Sequence, residues 1–307
     1  MSGNSKRRIL VVSHVAREEA IEAAMTVLQL LDDAGVTPVL EPATYRELLR
    51  LDRNRVPRTT VTLGDQLAAD EVEIAIVLGG DGTILRAAEL VRDAGVPILG
   101  VNLGHVGFLA ESERDSLADT VGRALSRDYE VEERMTLDVR VTLGGETVYE
   151  TWALNEASIE KASRERMLEL VLEVDGQPLL SFGADGAIFS TPTGSTAYSF
   201  SAGGPIVWPT VEALLLVPIS AHALFARPIV VGPSSTLAVE IIPRTGTPGV
   251  LWCDGRRTYD LTAGSRVTAT RGAAAIRLAR LHSAPFSKRL VEKFQLPTSG
   301  WRGPARA

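Results

Sequence analysis

The chain has 307 residues, of which 45% are apolar, and its 32 basic and 38 acidic side chains leave a net charge of −6. That length fits about two domains with cores of their own. The acidic balance argues against broad nucleic-acid binding, which needs a basic face, although a local site can still take an anion. The single cysteine, Cys253, excludes an internal disulfide and fits a reducing, cytoplasmic setting.

The N-terminal stretch MSGNSKRRILVVSHV is basic and then apolar. Its apolar run is short and no small-residue cleavage site follows, so it does not resemble a signal peptide. No segment reaches the apolar length of a membrane helix. We therefore expect a soluble protein that neither spans nor binds a membrane.

The first part of the chain alternates between buried strands and amphipathic helices. Short apolar runs predict strands, and apolar residues at helical spacing followed by glycine predict helices. The predicted strands are 7–15, 36–41, 72–78 and 96–102, and the predicted helices are 17–35 and 83–95. Residues 42–70 are polar and give no assignment. Such alternation indicates βαβ units and a parallel sheet.

The pattern changes near residue 134, where apolar and polar residues begin to alternate with a period of two and turns contain Gly144-Gly145 or Asp175-Gly176. This is typical of antiparallel β-structure. We predict an α/β domain over 1–133 and a β-rich, sandwich-like domain over 134–283. The tail, 284–307, reads as helical and is expected to pack back on the first domain.

The segment GGDGT, residues 79–83, lies where a parallel strand ends and a helix begins. Glycines there allow a ligand to approach the backbone, and a helix N-terminus attracts phosphate. A carboxylate repels phosphate, so Asp81 would make sense there as a base that accepts a proton from an attacking hydroxyl, although the segment taken alone favours a purely structural role. The alternative is that Asp81 caps the helix. The segment matches neither the dinucleotide-binding nor the P-loop pattern.

Three further segments add polar groups that suit a nucleoside. NLGHVGFL (102–109) places glycines after the next strand, and Asn155-Glu156 opens a polar segment in the β-rich half. STPTGSTAYSFSAGGP (190–205) is the densest cluster of hydroxyl groups in the chain. Neutral donors and acceptors with glycines between them suit adenine or ribose. The alternative for 190–205 is a surface loop rich in serine and threonine.

With these segments the sequence resembles the NAD kinases, enzymes that phosphorylate the adenosine 2′-hydroxyl of NAD to give NADP, and it looks most similar to their actinobacterial members. GGDGT alone is shared with lipid kinases and phosphofructokinases. NLGHVGFLAE, the Asn155-Glu156 pair and STPTGSTAYSFSAGGPIVWP are more specific and occur in family order, and HALFARPIV (222–230) and CDGRR (253–257) add support.

The resemblance implies a role for each matching residue. Asp81 would be the catalytic base. The residues implied to line the phosphate path are Gly79, Gly80, Gly82, Thr83 and Arg86. The residues implied to bind NAD are Asn155, Glu156, Arg166, Asp185, Thr193, Thr196, Ala197, Tyr198 and Ser201.

The resemblance also implies an α/β domain followed by an unusual β-rich domain, Mg²⁺ accompanying ATP, and inorganic polyphosphate as a possible donor. It implies a homodimer or homotetramer, with Asp185 reaching NAD from a neighbouring subunit. No metal ligands can be named. Two positions depart from the common family pattern: Gly183 stands where many members have arginine, and Ala221-His222 where many have Pro-His. His105, in the glycine-containing loop, is a further candidate for contact with a ligand.

Two rival functions share some of these features. A lipid kinase would share GGDGT, but it should carry an acyl slot or a membrane-facing patch, and the sequence suggests neither. A sensor that binds NAD without catalysis would keep 190–205 and would have no need of Asp81. The expected reaction is direct in-line transfer, in which the NAD 2′-hydroxyl gives its proton to Asp81 and attacks the terminal phosphate of ATP.

Overall fold

The computed structural model describes residues 7–103, 107–110, 117–281 and 285–298. The chain forms two compact units, one of residues 1–133 with 276–307 and the other of residues 134–275. Within the described ranges, no helix combines the length and hydropathy that crossing a bilayer requires.

The first unit contains one seven-stranded sheet with helices. Numbered along the whole chain, its strands are β1 (Arg8–Ser13), β2 (Thr37–Leu40), β3 (Val61–Thr62), β4 (Ile74–Leu78), β5 (Ile98–Val101), β6 (Glu130–Arg134) and β19 (Ile276–Arg280). Their order is β3-β2-β1-β4-β5-β19-β6, and the pairs from β3 across to β19 are parallel. Its helices are α1 (Glu18–Asp33), α2 (Pro42–Asp52), α3 (Asp81–Val91), α4 (Leu117–Ser126) and α6 (Phe286–Phe294).

The central strands of this sheet are covered on both faces. Ile76 of β4 and Leu99 of β5 join a core cluster with α1 and α4, including Leu28. The next residue of β5, Gly100, faces the other way, where a Cβ would lie 2.6 Å from Cδ1 of Ile84 in α3. Burial on both faces explains why these strands read as continuous apolar runs rather than alternating ones.

The second unit consists of two antiparallel sheets of six strands each. One has the order β11 (Gln177–Ala184), β10 (Leu168–Val174), β15 (Leu237–Ile241), β18 (Arg266–Arg271), β7 (Leu137–Leu143), β8 (Glu146–Ala153). The other has the order β14 (Ile229–Val231), β13 (Leu214–Ile219), β12 (Gly186–Ser190), β9 (Glu156–Lys161), β16 (Gly249–Cys253), β17 (Arg257–Leu261). A short helix, α5 (Tyr198–Ser201), follows β12. Alternate residues of both sheets share one core, with Phe189 fully buried in it.

The predicted fold class, an α/β part with a parallel sheet and a β-rich, sandwich-like part, is therefore confirmed. The six predicted strands and helices of the first part are present, although α3 begins at Asp81 rather than at residue 83. Sequence reasoning missed α2 and β3 within residues 42–70. Pro42 at the first helical position and the pair Leu48-Leu49 were the available signals for α2.

One expected boundary is wrong. Residues 276–283 were assigned to the β-rich domain, but β19 lies in the parallel sheet, where Leu278 pairs with Ile98 of β5. The alternating pattern of IRLAR is compatible with either sheet, so the sequence does not show which sheet contains this strand. The chain returns to the first unit at residue 276, and α6 follows there.

Candidate active site

The turn between β4 and α3 is built on glycine. Gly79 has φ +153°, and a Cβ at this position would lie 2.5 Å from Oγ1 of Thr83. Its N–H donates to the carbonyl of Val101 at 3.0 Å, which ties the turn to the end of β5. A residue with a side chain would strain this turn, so GGDGT depends on glycine for backbone geometry.

The helix that follows offers its N-terminus at this edge of the sheet. Gly80 is the N-cap and has no side chain to satisfy the first amide groups, while Thr83 and Ile84 already donate their N–H groups to the Gly80 carbonyl at 2.9 and 3.2 Å. The opening N–H groups of a helix have no partner within the helix and favour an anion. The predicted phosphate path, Gly79 to Thr83, therefore surrounds the start of α3.

Asp81 does not cap α3. Its Oδ2 accepts the backbone N–H of Phe108 and its Oδ1 accepts that of Leu109, both at 3.0 Å, from the loop that follows β5. A Cβ on Gly107 would collide with Oδ1 of Asp81, so this loop can approach the carboxylate only with glycine there. The capping alternative is wrong, and the carboxylate is instead held by two successive N–H groups of the loop that follows β5.

Arg86, one turn further along α3, forms an ion pair with Glu41 at the end of β2. The Nη2 to Oε2 distance is 2.6 Å, and both side chains are largely buried. Its predicted contact with phosphate stays a prediction. Sequence reasoning did not identify Glu41, because no motif connects two residues 45 positions apart.

In the second unit, Asn155 and Glu156 lie at the start of β9, and each is more than nine-tenths buried. The N–H of Asn155 donates to Oδ1 of Asp254 at 2.7 Å, and its carbonyl accepts the N–H of Thr191 at 2.9 Å. A Cβ on Gly194 would collide with that same carbonyl. The Asn155-Glu156 pair and the hydroxyl-rich loop are therefore packed directly on each other.

The carboxyl group of Glu156 lies near the backbone N–H of Tyr198, and among the described residues its buried Oε2 has no hydrogen-bond partner. Burial, with the nearby charge of Asp254, raises the pKa of Glu156 to about 8. A carboxyl group that keeps its proton at neutral pH can donate one hydrogen bond as well as accept others. Such a group suits the hydroxyls of a ribose.

Four hydroxyl groups of the 190–205 segment, those of Ser190, Thr191, Ser195 and Thr196, donate to nearby backbone carbonyls. Ser195 Oγ donates to the Pro192 carbonyl at 2.7 Å and accepts the N–H of Val207 at 2.9 Å. Thr191 Oγ1 donates to the Leu154 carbonyl at 2.6 Å. These bonds shape the loop. Four residues of the loop carry the hydroxyl groups that are predicted to contact a ligand. They are Thr193, which is buried, Thr196, which is half-buried, and Tyr198 and Ser201, which are exposed.

Two charged residues that the motifs did not reveal, Glu160 and Lys161, lie close to Tyr198 and Asp185. The hydroxyl of Tyr198 lies close to the carboxylate of Glu160, and Asp185 pairs with Lys161 at 2.5 Å. Burial, and then the charge of Glu160, raise the pKa of Tyr198, and Asp185 adds to the effect. The sequence could have pointed to Glu160 and Lys161 through their position, because both follow the Asn155-Glu156 pair on β9.

The structure thus gathers most predicted residues into two clusters, one in each unit. The phosphate-side cluster is Gly79, Gly80, Asp81, Gly82, Thr83 and Arg86, and the nucleoside-side cluster is Asn155, Glu156, Asp185, Thr193, Thr196, Ala197, Tyr198 and Ser201. Arg166 is exposed in the turn between β9 and β10, and within the described ranges no hydrogen bond joins it to either cluster. The predicted ligand contact of His105 lies outside the described residues.

Neither cluster forms a resident metal site. Among the residues that the structure describes, no group of three or more His, Cys, Asp or Glu side chains could hold a metal ion. Magnesium that arrives with a nucleotide takes most of its ligands from phosphate and water, with only one or two from the protein.

The chain is similar throughout its length to one group of proteins. Residues 9–129 match the model of the ATP-NAD kinase N-terminal domain, and residues 154–281 match that of the ATP-NAD kinase C-terminal domain. An NAD kinase of Leifsonia xyli subsp. xyli is 61% identical over 98% of each chain. NAD kinase 2 of Streptomyces coelicolor is 55% identical over 99% of each chain.

Solved structures show the same fold at lower identity. A yeast NADH kinase crystallised with NADH superposes with a TM-score of 0.84 at 24% identity, covering 97% of this chain and 90% of its own. An NAD kinase from Archaeoglobus fulgidus in complex with ATP gives a TM-score of 0.68 at 23% identity, covering 94% of this chain and 98% of its own. At these identities the likeness concerns the fold alone.

Proposed function

This chain belongs to the NAD kinase family, and from that premise we propose that it transfers the terminal phosphate of ATP to the adenosine 2′-hydroxyl of NAD, giving NADP and ADP. The observation that carries the proposal is the carboxylate of Asp81, fixed beside the N-terminus of α3 by the N–H groups of Phe108 and Leu109. That arrangement supplies a fixed proton acceptor at a phosphate-binding edge.

Each oxygen of a carboxylate has two acceptor positions, so one on each Asp81 oxygen stays available after the two backbone bonds are made. In the proposed step, Asp81 accepts the proton of the 2′-hydroxyl as that oxygen bonds to the terminal phosphorus. The bond from this phosphorus to the bridging oxygen breaks, and ADP leaves with the electron pair. No phosphorylated enzyme is formed on this route.

The second unit would supply the recognition of NAD. The protonated carboxyl of Glu156 suits a ribose hydroxyl, and the exposed ring of Tyr198 suits a flat base. Asn155, Thr193, Thr196, Ala197 and Ser201 lie on the same segments and complete the proposed nucleoside site. Asp185 and the exposed Arg166 are proposed to contact NAD as well.

On the phosphate side, the turn from Gly79 to Thr83 would receive the terminal phosphate, and Arg86 would add positive charge near it. When ATP carries Mg²⁺, the ion supplies charge neutralisation to the phosphates. We also propose that the protein assembles as a homodimer or homotetramer with sites completed across subunits, and that it works in the cytoplasm.

Incubation of the purified chain with NAD, ATP and Mg²⁺, followed by an enzymatic assay for NADP, tests the proposal. We expect ATP-dependent NADP formation. A parallel reaction with inorganic polyphosphate in place of ATP measures whether the donor can be replaced. Phosphorylation of a lipid alcohol without NADP formation would support the lipid kinase, and NAD binding without any turnover would support the sensor.

A further inference from the structure

We propose that Arg289 of α6 and Arg280 of β19 are positioning residues for Asp81, acting through the loop of residues 107–110. The inference rests on the proposed function, since it needs Asp81 to be the base. It concerns how the C-terminal part of the first unit holds that base in its reactive orientation.

A single peptide group connects Arg289 to Asp81. The carbonyl of Phe108 accepts from Nη1 of Arg289 at 3.0 Å, and the N–H of the same peptide group, that of Leu109, donates to Oδ1 of Asp81 at 3.0 Å. The carbonyl and N–H of a trans peptide point in opposite directions, so the guanidinium and the carboxylate lie on opposite sides of one plane. Hydrogen bonds in such a chain polarise and strengthen one another.

The next peptide group is held in the same way. Nη1 of Arg280 donates to the carbonyl of Leu109 at 2.8 Å, and Nε of Arg280 pairs with Glu132 at 2.7 Å. Arg280 is only 8% exposed. A buried, paired guanidinium has little freedom to move, so the carbonyl that it holds is fixed to the end of the sheet.

The side chain of Phe108 attaches the loop to α6. Its ring lies 5.9 Å from that of Phe286 and 5.7 Å from that of Phe294, centroid to centroid. These are ordinary separations for interacting aromatic rings. The helix therefore contacts the loop through apolar rings and through the donor of Arg289, while the two N–H groups on the loop's other edge hold the carboxylate of Asp81.

Loss of the Arg289 bond should let the 108–109 peptide rotate and release Oδ1 of Asp81. The carboxylate would then sample orientations that do not face the hydroxyl, and small misplacements of a reacting group can reduce turnover strongly. Because the groups proposed to recognise NAD lie in the second unit, we expect substrate binding to change little. The expected signature is a lower kcat at nearly constant KM.

The test substitutes Arg289. Its side chain is only half-buried, so we expect the variant proteins to fold. For Arg289→Leu we expect kcat to fall at least about tenfold, with the KM values for NAD and ATP changed less than about twofold. Arg289→Lys keeps a charged donor and should recover part of the loss. Arg277→Leu is the matched control, because Arg277 donates to the Gly95 carbonyl at 3.1 Å at an exposed place in the same unit. Its kcat should stay at the wild-type value.

A double-mutant cycle with Asp81→Asn separates positioning from general support of the fold. If Arg289 acts through Asp81, Arg289→Leu should cause no further loss of kcat in the Asp81→Asn background. An equal loss in both backgrounds, or a loss that Arg277→Leu reproduces, would overturn the inference. If Asp81→Asn alone barely lowers kcat, the proposed base is wrong, and that result is distinct from a failure of Arg289.

Discussion

Asp254 holds the backbone of Asn155 from a distance of 99 residues along the chain, its Oδ1 accepting the N–H at 2.7 Å. Oδ2 of the same carboxylate accepts the N–H of Leu154 at 2.9 Å and pairs with Arg257 at 2.8 Å. Asp254 and Gly255 have φ of +54° and +63° and form the hairpin turn between β16 and β17. The same aspartate thus shapes a turn and fixes the start of the Asn155-Glu156 segment.

Asp254→Asn should therefore destabilise the second unit. An amide offers one acceptor oxygen where the carboxylate offers two, so either the N–H of Leu154 or that of Asn155 loses its buried acceptor. A lost partner of this kind costs about 1–3 kcal/mol. Chemical unfolding should show a loss of this size, and titration with NAD should show weaker binding. Unchanged values for both would mean that the Asp254 carboxylate does not hold this segment.

Asp81→Asn should lower kcat at least about a hundredfold, because general-base help is worth roughly 100- to 10,000-fold. The affinity for NAD should change little, since the recognition of NAD is assigned to the second unit. Steady-state kinetics with NAD and ATP, with NAD affinity measured separately by calorimetry, separates the two effects. Turnover near the wild-type value would remove Asp81 from the role of base.

Tyr198→Ala should chiefly weaken NAD binding. The ring is 36% exposed on the nucleoside-side cluster, so its removal deprives a bound base of a contact surface while leaving the core intact. Stacking of a base on an aromatic ring is worth about 1–3 kcal/mol, or roughly a 5- to 150-fold rise in Kd. Isothermal titration with NAD gives the value directly. An unchanged Kd would place the adenosine elsewhere.

Gly107→Ala should lower activity through Asp81. The added Cβ would collide with Oδ1 of Asp81, so the loop or the carboxylate must shift. We expect kcat to fall at least about tenfold, since misplacement of a reacting group by about 1 Å can cost about a hundredfold. The matched control is Gly122→Ala, at an exposed position inside α4 where a Cβ meets nothing within 4 Å.

For the control, alanine in place of a helical glycine should raise stability by about 0.5–1 kcal/mol and leave kcat unchanged. Thermal melts and kinetics on the same preparations check both variants. A Gly107→Ala enzyme with normal kcat would show that the approach of the loop to Asp81 is not needed for turnover.

Glu156→Gln should change how stability depends on pH. Burial raises the pKa of Glu156 in the folded protein to about 8, from its ordinary 4.5. Below pH 4.5 both states are protonated, but between pH 4.5 and 8 the unfolded state ionises while the folded state keeps its proton. The free energy of unfolding therefore falls as pH rises, by up to about 1.4 kcal/mol per pH unit from this one group.

Glutamine does not titrate, so the stability of the variant relative to wild type should improve steadily from pH 5 to pH 8, by on the order of a few kcal/mol. Unfolding measured at four pH values on both proteins gives this difference, in which the other titrating groups largely cancel. A difference that stays constant with pH would mean that Glu156 ionises normally in the folded protein.

Local patterns in the sequence were sufficient for the fold class and for the position of Asp81 among glycines, whereas the roles of the other candidate residues were implied by the resemblance to the NAD kinases. Apolar runs and period-two alternation are patterns of residues that are close together in the chain. For this reason β1, β4 and the antiparallel strands could be read directly from the sequence. Gly79 and Gly80 could be placed at a strand end for the same reason. Polar helices such as α2 carry a weaker local signal and were missed.

Contacts between distant residues depended on the tertiary structure. The sequence alone determined that a carboxylate sits among glycines at a strand end, but the structure decided that Phe108 and Leu109 hold it and that Arg289 holds their peptide. Likewise, only the folded sheet places the strand IRLAR, Ile276–Arg280, beside β5. Hydrogen bonds over 28 or 181 positions leave no periodic trace, because they form only when packing brings separate elements together.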